Sequence, residues 1–254
     1  KLDPKYFEAY NNIGIILKSI IFKEPNPILY NTLVSLLDQK ASERPTDIAK
    51  SLTSLLKLDP ILKYYLQSIC KDRLKLPVHR VVTNLSELTL LLKLISICPI
   101  ADTEMEYLLT SIRASLLFEI PNLTVTPQLL KFQSALALQC FINEYIFNQS
   151  EQENKVIKEL EYLVKLTINS NEQPSPQSIL CLASYKPLNH YEWYNKLHVG
   201  SEIEDVFTRQ VVEPQQEDDL KFELPLLKKI NNKISLKVRA HYELNPYPRW
   251  VKLA

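Results

Sequence analysis

The sequence predicts an all-α fold, and three observations carry that reading. Glycine is nearly absent: 254 residues hold two, Gly14 and Gly200, where an average chain carries roughly 7%. Tight hairpins and phosphate-cradling loops draw on glycine at positive φ, so a strand-rich fold lacks its turn residues here. Apolar residues recur at helical spacing along most of the chain. Sixteen prolines and a series of Ser, Thr and Asn residues punctuate these runs at places suited to helix starts.

Taken in order, Pro4 opens a helix over 4–20, with Tyr10, Ile13, Ile16 and Leu17 on one face. Pro25 and Pro27 interrupt it, and a helix follows over 28–38. Thr46 and Asp47 open the next, striped by Ile48, Leu52 and Leu55; Asp59–Pro60 leads to another that runs to Cys70. Val78–Val82 reads as a short extended run without a pairing partner. Asn84 with Glu87, Thr103 with Glu106, Ser150 with Glu153 and Ser201 with Glu204 have the spacing of capping boxes, each expected to start a helix. Met105, Leu108, Leu109, Ile112 and Leu116 form a clean apolar face, and together with Leu136 and Phe141 are expected to lie in one core. Thr126–Pro127 starts the most apolar helix, expected to run to Phe147 and to sit at the centre of its domain. Ser175–Pro176 starts a short helix, Glu217–Asp218–Asp219 reads as a solvated helix start, and 231–242 as the last helix.

Composition excludes several function classes. The net charge is +1, which offers no field for a polyanion. The basic clusters Lys71, Arg73, Lys75, His79, Arg80 and Lys228, Lys229, Lys233, Lys237, Arg239 read as solvated helix faces, so no nucleic-acid partner is expected. No apolar run reaches the roughly 20 residues of a membrane span. Cys70, Cys98, Cys140 and Cys181 are too dispersed for a zinc site and suit free thiols in a reducing cytoplasm. His79, His190, His198 and His241 show no ligand spacing, and no metal is expected. The nucleophile-elbow, Cys–His and phosphate-loop patterns are all missing.

Residues 2–18, L-D-P-K-Y-F-E-A-Y-N-N-I-G-I-I-L-K, resemble a tetratricopeptide repeat. Tyr10, Ile13, Gly14 and Leu17 fall at that repeat's packing positions. Asn12 matches a position that, in sugar-transferase-type repeats, lines a peptide groove; Ile15 stands where a second groove asparagine is expected. The rest resembles the connector of bacterial proteins that fuse such repeats to a class I S-adenosylmethionine-dependent methyltransferase domain. Four segments carry this likeness: residues 139–147 (Q-C-F-I-N-E-Y-I-F), 185–188 (Y-K-P-L), 208–214 (T-R-Q-V-V-E-P) and 242–250 (Y-E-L-N-P-Y-P-R-W).

The resemblance implies three parts: a terminal repeat over 1–24, an irregular multi-helix connector over 25–240, and over 241–254 the junction to a catalytic domain lying beyond Ala254. It implies S-adenosylmethionine as cofactor of the parent protein and a protein or peptide as its substrate. The glycine-rich loop that would hold this cofactor is missing here, so the chain itself is expected to bind no cofactor and to be no enzyme. Tyr242, Asn245, Pro246, Tyr247, Arg249 and Trp250 are the candidates for an interdomain or active-site rim, because two X–Pro steps stiffen an aromatic-rich segment. Gln139, Asn143 and Glu144 are expected to be buried polar residues held by loop backbones. The alternative reading is a stand-alone helical scaffold for a protein partner.

Overall fold

The computed structural model describes residues 7–39, 44–69, 76–223 and 232–244, and every regular element among them is helical. The chain divides into two compact units, 1–211 and 212–254.

The first unit begins with α1 (Phe7–Leu17), which packs on α3 (Pro45–Leu56). Tyr10, Gly14 and Leu17 are its buried residues, and Ile13 is partly buried against the same core. Residues 18–26 are non-helical, a 3-10 turn covers Pro27–Leu29, and α2 (Tyr30–Asp38) follows. Pro60 opens α4 (Pro60–Ile69), where the Asp59 carboxylate accepts the Ile61 amide at 2.9 Å.

Helix α5 spans Val78–Ser86, correcting the extended reading of Val78–Val82. Val78, Val81, Val82 and Leu85 are fully buried at i, i+3, i+4, i+7, a helical stripe whose β-branched residues mimic a strand. Asn84 therefore lies inside α5 and donates to the Tyr65 hydroxyl at 2.6 Å rather than capping. The next helix, α6 (Thr89–Ile97), starts after Leu88 without a side-chain cap. The cap of α7 (Thr103–Glu119) is Asp102, one residue before the expected Thr103; its carboxylate accepts the Met105 amide at 3.1 Å.

Helix α8 (Pro127–Ile142) is the axis of this unit. Thr126 caps it by accepting the Leu129 amide at 3.1 Å, with Pro127 in the first turn. Leu129, Phe132, Ala135, Leu136 and Cys140 face one apolar cluster, shared with α2–α7. Leu130, Ala137 and Leu138 face a second, shared with α9 (Glu151–Asn169), α10 (Pro176–Ala183) and residues 185–211. A helix buried on both sides needs no polar face, which is why its sequence is apolar nearly all round. It ends at Ile142 and not at Phe147: Glu144 and Tyr145 adopt φ of 60° and 57°, and the Tyr145 amide reaches back to the Cys140 carbonyl at 2.8 Å.

Met105, Leu109, Ile112 and Leu136 share the first cluster, whereas the expected core residue Phe141 is only half-buried and belongs to neither cluster. Leu109→Ala is expected to cost about 2–5 kcal/mol, because a 1% exposed leucine leaves a cavity its neighbours cannot fill. Urea melts check this, and a loss below about 0.5 kcal/mol would place that face in solvent.

Ser150 and Glu153 form the expected reciprocal capping box at the start of α9. Ser175 caps α10. Ser201 caps nothing: α11 (Glu204–Phe207) begins after Ile203 with no side-chain cap. The second unit contains α12 (Glu213–Glu223) and α13 (Lys233–Leu244). Glu217, Asp218 and Asp219 are exposed in the middle of α12, not at its start.

Candidate functional site

The side chains singled out by sequence fall into three places. Asn12 is exposed on α1, beside the exposed Ile15 and Ile16. Tyr242 is exposed on α13, edge-on to His241 with ring centres 5.9 Å apart. Asn245, Pro246, Tyr247, Arg249 and Trp250 lie outside the described residues. Gln139 and Asn143 are buried on α8, whereas Glu144 is exposed. That corrects the expectation of a buried Glu144: the left-handed turn after Ile142 swings its side chain outward.

Gln139 satisfies the end of a neighbouring helix. In the amide orientation that pairs both its atoms, Nε2 donates to the carbonyls of Ile95 at 2.9 Å and Cys98 at 3.0 Å, and Oε1 accepts the Ile100 amide at 3.3 Å. The last carbonyls of α6 have no helical donor, so a buried amide placed there removes a real cost. Asn143 acts locally, its Oδ1 accepting the Tyr145 amide at 3.1 Å.

A second cluster surrounds Arg113, which lies on the buried stripe of α7 between Leu109 and Leu116. Its Nη2 donates to the Asn148 carbonyl at 2.6 Å and to Glu153 Oε1 at 3.4 Å. The guanidinium sits 4.2 Å from the Tyr185 ring centre and 5.8 Å from that of Phe147. The Tyr185 hydroxyl donates to the same Glu153 Oε1 at 2.8 Å, while Oε2 accepts the amide and hydroxyl of Ser150 at 2.8 and 2.9 Å. One carboxylate thus serves as helix cap, ion-pair partner and phenol acceptor. Burial raises the Tyr185 phenol far above its ordinary value, and the Glu153 charge adds to this. Burial likewise pushes the Cys140 and Cys181 thiols up to about 12, the nearby Arg113 charge offsetting part of the shift.

The third cluster belongs to Gln210, fully buried in a π turn (Thr208–Val212). Its Oε1 accepts the Leu188 amide at 3.0 Å, and its Nε2 donates to the carbonyls of Ala183 at 3.1 Å and Ala137 at 3.3 Å. The Tyr145 hydroxyl donates to the same Ala183 carbonyl at 3.2 Å.

Sequence reasoning missed Arg113, Glu153 as an ion-pair partner, and Gln210. The signal for Arg113 was a cation on an apolar stripe, which demands a buried acceptor. These side chains are engaged with one another and with backbone, and so hold elements in place. An open hollow of about 180 Å³ is lined by Ser86, Glu87, Thr89, Pro127, Gln128 and Lys131, smaller than the roughly 300–1,000 Å³ of small-molecule sites. Among the described residues no His, Cys, Asp or Glu cluster could hold a metal ion, and no helix is long and apolar enough to cross a membrane.

Comparison of the chain with models of known protein families, with curated proteins and with solved structures finds no match.

Proposed function

We propose that this chain is the non-catalytic helical connector of a bacterial tetratricopeptide-repeat methyltransferase, joining repeats that bind a substrate protein to an S-adenosylmethionine-dependent catalytic domain. One observation supports the reading above the others: three of the segments that resemble such connectors meet in space. Gln210 of the 208–214 segment bonds Leu188 of the 185–188 segment; Tyr145 of the 139–147 segment shares the Ala183 carbonyl with Gln210. Residues scattered from Tyr145 to Gln210 then serve a single purpose, to fix the connector's shape. Three buried free thiols, Cys98, Cys140 and Cys181, suit a cytoplasmic setting.

The cofactor belongs to a separate catalytic domain in this reading, and the described residues do not fit it. Gly14 is buried inside α1, and at Gly200 an added Cβ would meet Glu202 Oε2 at 2.7 Å; neither glycine opens a strand-to-helix loop that could approach a ribose or carboxylate. Isothermal titration of S-adenosylmethionine into the chain is therefore expected to give no saturable heat. A micromolar site, worth about −8 kcal/mol, would overturn the non-catalytic reading.

The second reading, a stand-alone scaffold, is favoured by the exposed Tyr162, Leu163 and Leu166 on α9, an apolar patch open to a protein partner.

A further inference from the structure

The helical gauge changes after α11, which is followed directly by the π turn Thr208–Val212. A π turn holds an extra residue and is intrinsically less favourable than the α-helix on either side, so something must hold it. Two features of the sequence do so. Pro214 has no amide to give the carbonyl four residues before it, and its ring would crowd that carbonyl in a regular helix. Gln210 supplies the other restraint. Its side chain makes three hydrogen bonds to backbone groups of three separate segments, at 3.0, 3.1 and 3.3 Å, and it is fully buried. Ala183 and Leu188 flank the turn after α10, and the Ala183 carbonyl also accepts the Tyr145 hydroxyl.

We infer that the π turn Thr208–Val212 is a register latch: Gln210 locks it against α8 and the turn after α10, Pro214 bars the α register, and release of Gln210 frees residues 204–212 without unfolding the rest of the 1–211 unit. Val206 and Val211 flank Gln210 in the same core, so they reseal on the apolar cluster when the latch closes. The inference does not rest on the methyltransferase reading, since it uses only the local hydrogen bonds and the proline.

Hydrogen exchange followed by mass spectrometry on the full chain tests it. Gln210→Leu keeps volume and apolar contact but removes all three bonds. The amide of Leu188 and those of 204–212 are expected to exchange at least about tenfold faster, while those of α5 and α6 stay within about twofold of wild type. Adding Pro214→Ala restores the missing donor; 208–214 should then regain protection in the α register, with Leu188 remaining fast. Unchanged exchange in Gln210→Leu would overturn the latch, and so would an equal rise throughout the unit, which would make Gln210 an ordinary core residue. Failure of Pro214→Ala to restore protection would overturn the two-register mechanism. If Gln210→Leu does not fold, wild-type exchange in a urea series decides: 204–212 must open below the denaturant at which α8 opens, and coincident opening overturns the proposal.

Discussion

Glu153→Ala is expected to destabilise the chain by about 3–5 kcal/mol, the range for breaking a buried ion pair from one side. The Arg113 side chain is 2% exposed and that of Glu153 6%, so deleting the carboxylate strands a cation where water cannot reach it. The same deletion removes the acceptor of the Tyr185 hydroxyl and both Ser150 bonds. Arg113→Met is expected to cost less, because Glu153 keeps Ser150 and Tyr185. Arg113→Met combined with Glu153→Leu should recover much of the single-mutant loss, since an apolar pair of similar volume carries no desolvation cost. Urea midpoints of the four proteins measure this, and a Glu153→Ala cost below about 1 kcal/mol would show that the pair does not organise the core.

The native thiols are expected to be nearly inert. Burial pushes Cys98, Cys140 and Cys181 each up to about 12. At pH 8 the reactive thiolate is then a far smaller fraction than for an ordinary thiol near 8.5. Steric closure acts in the same direction, as all three are buried. In a Cys70→Ser chain, an aromatic disulfide reagent should show no fast phase at pH 8, react somewhat faster as pH rises, and titrate three thiols in concentrated guanidinium. One fast native equivalent would mean that a core around α6, α8 or α10 opens far more readily than its packing implies.

Helix content was readable from the sequence because it rests on local chemistry. Thr126–Pro127, Ser150–Glu153 and Ser175–Pro176 start helices as their spacing demands, since a cap needs only its own first turn. Where competing chemistry lay one residue away, the reading slipped: Asp102 outcompetes Thr103 because a carboxylate is the stronger acceptor for the N-terminal amides. Val78–Val82 misled because β-branched residues suit strands, while the stripe they make with Leu85 is helical. Glu144 failed for another reason. Its exposure follows from a left-handed turn of two consecutive non-glycine residues, which local preference disfavours and tertiary packing imposes. The polar clusters were the least legible. Arg113 meets Glu153 across 40 positions and Gln210 meets Ala137 across 73, and no periodicity encodes a contact between helices.

The proposed function makes 242–250 a junction whose aromatic and cationic groups await a catalytic domain, and tryptophan quenching tests that most directly. Trp193 is 4% exposed and stacked on Tyr191 at 4.7 Å, which makes it the internal standard for a protected indole. In a Trp193→Phe chain the remaining indole is Trp250. The connector reading predicts that acrylamide quenches Trp250 several-fold more readily than it quenches Trp193 in a Trp250→Phe chain. It also predicts that Trp250 becomes protected when the polypeptide continues into a methyltransferase domain. Protection of Trp250 equal to that of Trp193 in the present chain would contradict it, and would make 242–250 part of this chain's own core.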